Sequence, residues 1–104
     1  MTLNSEGRTD PQHLLVALRH PLRRAILRLI AQADNPLSPR EAADVLDRPL
    51  SNVSYHVRVL SDREMLTLAR TQPVRGSMQH FYVVHEDVVG MPWVREALDL
   101  DSQK

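Results

Sequence analysis

Apolar positions along the chain keep a helical spacing as far as about residue 64 and then change period. The first helix is expected to start with Asp10 as its N-cap and Pro11 at the first helical position. Its residues Leu14, Leu15, Val16, Ala17 and Leu18 are too apolar to be solvated all round. His20-Pro21 breaks it, because a residue before proline disfavours the helical region. A second helix is expected over residues 21–33, where Leu22, Ile26, Leu29, Ile30 and Ala33 fall on one face and Arg23, Arg24 and Arg28 on others. Asp34-Asn35-Pro36 ends that segment.

Ser38-Pro39-Arg40-Glu41 has the pattern of a capping box, with Pro39 suited to the first turn. It opens a short helix over residues 39–46, packed through Ala42, Ala43, Val45 and Leu46. Asp47-Arg48-Pro49 links it to a fourth helix over residues 50–64. Residues 66–70 and 80–84 are rich in β-formers and alternate partly, which predicts a hairpin. Its tip, residues 71–79, reads as long and basic, with Arg70 and Arg75 about it and Gly76 allowing a tight turn. Residues 92–98 form a closing helix.

The expected fold class is therefore mainly α with a small β-hairpin, in the order α-α-α-α-β-β-α. A short helix, a tight turn, a longer helix and then a hairpin describe a winged helix-turn-helix. The domain spans residues 11–99, between a flexible lead-in of residues 1–10 and a polar tail of residues 100–104.

The chain has 104 residues, 42% hydrophobic and 25% charged, which fits one globular domain with one modest core. No apolar run approaches the length of a membrane span, and residues 1–10 do not resemble a secretory signal, so a cytoplasmic location is expected. Cysteine is absent, which excludes disulfides, thiolate nucleophiles and cysteine-based metal sites. The remaining candidate ligands, His13, His20, His80, His85, Glu86 and Asp87, show no convincing metal spacing, so neither metal nor cofactor is expected. No catalytic Ser/His/acid set, phosphate loop or carboxylate pair stands out, which argues against an enzyme. Net charge is zero, yet residues 19–80 carry ten Arg against six acidic residues, whereas residues 86–104 carry five acidic against two basic. Arginine grips phosphate and guanine edges in a forked geometry, although a GC-rich genome would enrich it equally well.

The fourth helix carries the candidate chemistry. Leu50, Val53, Val57 and Leu60 share its buried side, while Ser51, Tyr55, Arg58 and Asp62 fall nearly opposite, flanked by Asn52 and Ser54. Short polar side chains near a helix start, then an aromatic and an arginine, suit entry into the major groove of double-stranded DNA. Ser51, Asn52, Ser54, Tyr55 and Arg58 are the candidate contacts, with Arg75 and Gly76 of the wing reaching phosphate or the minor groove. His56 lies between the two faces and reads as a partly buried side chain that orients the helix.

Residues 50–60, Leu-Ser-Asn-Val-Ser-Tyr-His-Val-Arg-Val-Leu, resemble the recognition helix V-S-x-H-L-x-x-L of the ArsR-type winged-helix repressors. Residues 18–27 resemble that family's opening L-x-x-P-x-R-x-x-I-L. Arg75-Gly76-Ser77-Met78-Gln79-His80-Phe81-Tyr82 resembles the R-G-x-x-x-H-x-Y wing strand of a cysteine-free branch. The resemblance covers about residues 11–85 and implies a homodimer reading a pseudo-palindrome, paired through its first and last helices. Leu14, Leu15, Leu18, Trp93, Val94 and Leu98 are the candidate interface, being more apolar surface than two short terminal helices can hide alone; the alternative is that they complete the core of one chain. Two departures stand out: Asp47 occupies a turn position where the family often has Gly, and the thiolate ligands of its metal sensors have no counterpart. Aspartate tolerates the left-handed conformation such a turn needs. The expectation is a DNA-binding transcriptional repressor whose effector, if any, the sequence does not name. The alternatives are a protein-interaction module or a phage or architectural DNA-binding factor.

Overall fold

The computed structural model describes residues 11–100. The expected cap at Asp10 and the lead-in lie outside the described residues, as do 101–104 of the tail. Helix α1 (Pro11–Leu18) ends where the sequence turns toward Pro21, and α2 (Pro21–Gln32) starts at once. His20 is extended there, as a residue before proline must be, and its Nδ1 accepts the N–H of Leu22 at 3.2 Å as an N-cap. Arg24 reaches back from α2, its Nη1 donating to the carbonyls of Leu18 at 2.6 Å and Arg19 at 3.2 Å. These bonds satisfy carbonyl groups that the end of α1 leaves without helical partners.

Helix α2 is the central element, packed against α1, α3 (Pro39–Leu46), α4 (Leu50–Asp62) and the hairpin. It buries Leu22, Ile26, Leu27 and Ile30. The sequence pattern instead favoured Leu29 and Ala33, which are half-buried. A helix with neighbours on several sides buries a stripe wider than one face, and Leu27 falls in the added sector.

Helix α3 opens on the expected capping box. Ser38 Oγ accepts the Glu41 N–H at 3.1 Å, and Glu41 Oε1 accepts the Ser38 N–H at 3.0 Å. Ala42 and Ala43 are buried, but Val45, expected to pack, is 64% exposed. It lies on the outer side of a helix only 8 residues long, whose inner stripe is narrow. Asp47 ends α3 in the left-handed region, φ 56°, ψ 50°. The N–H of Arg48 reaches the Ala43 carbonyl at 3.1 Å, and that of Asp47 reaches Asp44 at 3.4 Å, a Schellman closure built without glycine.

Strands β1 (Leu66–Val74) and β2 (Ser77–Val84) form an antiparallel hairpin. The expected long tip is absent. Pairing runs on through Thr71↔His80, Gln72↔Gln79, Pro73↔Met78 and Val74↔Ser77 to a two-residue turn, Arg75-Gly76. Both turn residues have positive φ, 52° and 82°, the signature of a type I′ turn. Pro73 suggested a loop, but each strand of a two-stranded sheet has an open edge where a missing N–H costs nothing. Arg70 accordingly lies within β1 beside a bulge, its guanidinium 4.4 Å from the centre of the Phe81 ring, and not at the tip. Two mutual bonds between Leu37 and Tyr82, 3.1 and 2.8 Å, fasten the root of the hairpin to the segment before α3.

A four-residue helix that the sequence pattern did not predict, α5 (Glu86–Val89), follows β2, capped by His85 Nδ1 accepting the Asp87 N–H at 3.1 Å. Last comes α6 (Pro92–Ala97). One apolar cluster joins all six helices, α1 to α6. Leu100, assigned by sequence to the polar tail, is buried in that cluster because the chain turns back through Asp99 at φ 59°. Leu14, Leu18, Val94 and Leu98 are buried as well, so four of the six residues expected at a dimer interface complete the chain's own core. Leu15 is exposed and Trp93 half-buried. No helix among the described residues is long and apolar enough to cross a membrane.

Candidate nucleic-acid interface

Helix α4 follows α3 after a linker whose last residue, Pro49, caps it without a side-chain bond. Its first N–H groups therefore lack a side-chain acceptor, the condition in which a helix start favours an anion. Val53, Val57 and Leu60 bury the inner side against the core, and that anchoring sets which side chains face out. Ser51, Asn52, Tyr55 and Arg58 are exposed, and Ser54 is half-buried. The stripe expected from the sequence is thus presented as one surface. Among the described residues, neither Arg58 nor Arg75 has an ion-pair partner, so both guanidinium groups are open to an anionic ligand.

Between α4 and β2 runs an open groove of about 480 Å³, with the start of α3 at one end. Ser54, Val57 and Arg58 form one wall, Met78, His80 and Tyr82 the other, and Arg40 stands at the α3 end. Arg40, Met78 and His80 were not among the DNA contacts expected from the sequence. The two-residue spacing of Met78, His80 and Tyr82 was the available signal, because alternate strand residues share a face. Leu50, expected in the core, is 37% exposed at the lip of this groove. The first turn of α4 projects beyond the elements that could cover it. Arg75 and Gly76 are exposed at the far end of the hairpin.

His56 is more deeply placed than its position on the helical wheel suggested, at 8% exposure. Its Nδ1 accepts the Nε–H of Arg23 at 3.2 Å. The ring centre of His20 lies 4.3 Å away, and the Tyr55 ring meets it edge-on at 5.1 Å. Burial lowers its pKa below the usual 6.5, and the neighbouring His20 and Arg23 lower it further.

Two short helices joined through a left-handed residue, with the second exposed beside a hairpin, are matched by a family model described as a helix-turn-helix domain, over residues 18–69. The chain belongs to this helix-turn-helix family. Within the helix-turn-helix, α3 is the first helix of the motif and α4 the second, while most of the hairpin lies beyond the matched residues. Solved structures share the fold. The predicted DNA-binding transcriptional regulator from E. coli superposes with a TM-score of 0.60 at 19% identity, over 86% of this chain and 82% of that one. The transcriptional regulator HlyU from Vibrio vulnificus CMCP6 gives 0.59 at 20% identity, over 96% and 94%. Reduced HlyU from Vibrio cholerae N16961 gives 0.58 at 24% identity, over 84% and 79%. No curated protein matches the chain. At these identities the likeness establishes a winged helix-turn-helix fold.

Proposed function

We propose that this helix-turn-helix chain binds double-stranded DNA sequence-specifically and regulates transcription, as an ArsR-type repressor acting as a homodimer on a pseudo-palindromic site. The observation that carries the reading is the surface of α4. Ser51, Asn52, Tyr55 and Arg58 are exposed together on the second helix of the motif, the element that enters the major groove in this architecture. Arg75, exposed at the hairpin tip, adds a cation where a wing would carry one. The E. coli and V. vulnificus neighbours, described as transcriptional regulators, support the same reading.

The test is fluorescence anisotropy on duplex fragments recovered by genome-wide capture, at several salt concentrations. Saturable binding with a steep salt slope is expected, because each phosphate contact releases counterions. Absence of saturable binding, or binding insensitive to salt, overturns the reading and leaves a protein-interaction module. Two half-sites about 10 bp apart, or a multiple of that, are expected for a dimer.

A further inference from the structure

The motif explains α3, α4 and the hairpin, but leaves unexplained why two imidazoles and a guanidinium gather behind the recognition surface. His20 stands at the α1–α2 junction, Arg23 on the first turn of α2, and His56 and Tyr55 on α4. Among the described residues no carboxylate is hydrogen-bonded or ion-paired to any of the three cationic or titratable side chains.

The hydrogen bonds show what each ring nitrogen does. A guanidinium only donates, so the Arg23 Nε–H bond at 3.2 Å requires a lone pair on His56 Nδ1. A backbone N–H only donates, so the Leu22 bond at 3.2 Å requires a lone pair on His20 Nδ1. The His56 ring is therefore neutral, with its proton on Nε2. A proton reaching His56 Nδ1 would remove the acceptor and set two cations face to face. The His20 ring caps α2 through its bond to Leu22 and packs 4.3 Å from the His56 ring centre.

We infer that His20 and Arg23 are positioning residues for α4, holding its DNA-facing surface through a neutral His56, and that acid releases this hold. The mechanical link is short: His56 is bonded to α2 on one side and touches Tyr55 of the exposed stripe on the other. The inference rests on the proposal that α4 reads DNA. The sign follows from the lowered pKa of His56. A group that the native arrangement keeps neutral contributes fully above its unfolded value of about 6.5, and progressively less as pH falls from there toward the lowered native value.

The experiment measures duplex affinity by anisotropy from pH 7.5 to 5.5 at constant ionic strength, alongside ¹⁵N spectra of the imidazole and Arg23 Nε signals. The expected wild-type profile loses about tenfold in affinity across the range, a change of about 1.4 kcal/mol. His56→Ala should bind weakly throughout. His56→Gln keeps an acceptor for Arg23 that does not titrate, so it should restore binding and flatten the acid loss. His20→Asn, which keeps an acceptor for the α2 cap but removes the ring packed on His56, should weaken binding at every pH. A flat wild-type profile, or an undiminished acid loss in His56→Gln, overturns the inference. If the protein binds no duplex at any pH, the DNA reading itself fails, and the spectra decide the positioning role separately. Loss of the Arg23 Nε signal together with α4 amide shifts as His56 titrates supports it; titration without either refutes it.

Discussion

Among the described residues, four other than glycine hold positive φ, and each sits where an element ends: Asp47 after α3, Glu64 after α4, Arg75 at the hairpin turn and Asp99 after α6. The left-handed region costs an L-residue about 1–2 kcal/mol, less for Asp or Asn. At Arg75 that cost coincides with a side chain proposed to contact DNA, so stability and binding should separate. Arg75→Asn creates the Asn-Gly pair that a type I′ turn prefers. We expect it to gain about 0.5 kcal/mol, read as a Tm about 2–4 °C higher in thermal unfolding, while duplex affinity falls. Asp47 was legible from the sequence, because aspartate tolerates this conformation and the turn was expected there. The Arg75-Gly76 turn was only half legible. Gly76 marked a tight bend, but Pro73 concealed that the strands run right up to it.

At the scale of elements, α3 and α4 depend on different devices. The start of α3 is held by the Ser38–Glu41 box, with Ser38 only 3% exposed. Ser38→Ala removes one of these bonds in a buried place and should cost about 1–2 kcal/mol, measured by urea unfolding at an unchanged m-value. Helix α4 has no such cap and is held by the burial of Val53, Val57 and Leu60. Arg58→Ala should leave stability within about 0.5 kcal/mol, because surface changes away from packed groups cost little. It should weaken duplex binding and, if the contact is to phosphate, reduce the salt slope by about one. The outward stripe of α4 was readable by periodicity because burial on the other side is strong. The groove wall on β2 was not, since the hairpin's expected length hid the alternation of Met78, His80 and Tyr82.

For the molecule as a whole, partner choice depends on what the core leaves uncovered. With Leu14, Leu18, Val94 and Leu98 buried within one chain, Leu15 and Val16 are the large apolar side chains that α1 exposes. If a homodimer forms through α1, Leu15→Glu should shift the sedimentation equilibrium toward monomer, make Tm independent of protein concentration, and weaken binding to a two-half-site duplex more than to a single half-site. A monomeric wild type at micromolar concentration would remove the dimer from the proposal. The terminal helices were ambiguous in the sequence for a physical reason: an apolar stripe records that something covers it, but not whether the cover is the same chain. The bonds between Leu37 and Tyr82 have a consequence of another kind. They make the hairpin a lever whose fulcrum is the segment leading into α3. A load at Arg75 is transmitted to Ser38 and the motif, so contact at the tip and the tilt of α4 are not independent. Amide hydrogen exchange should show this as a gradient, fast at Gly76 and slowing toward Tyr82, whose amide opens only when the packing around α3 opens with it.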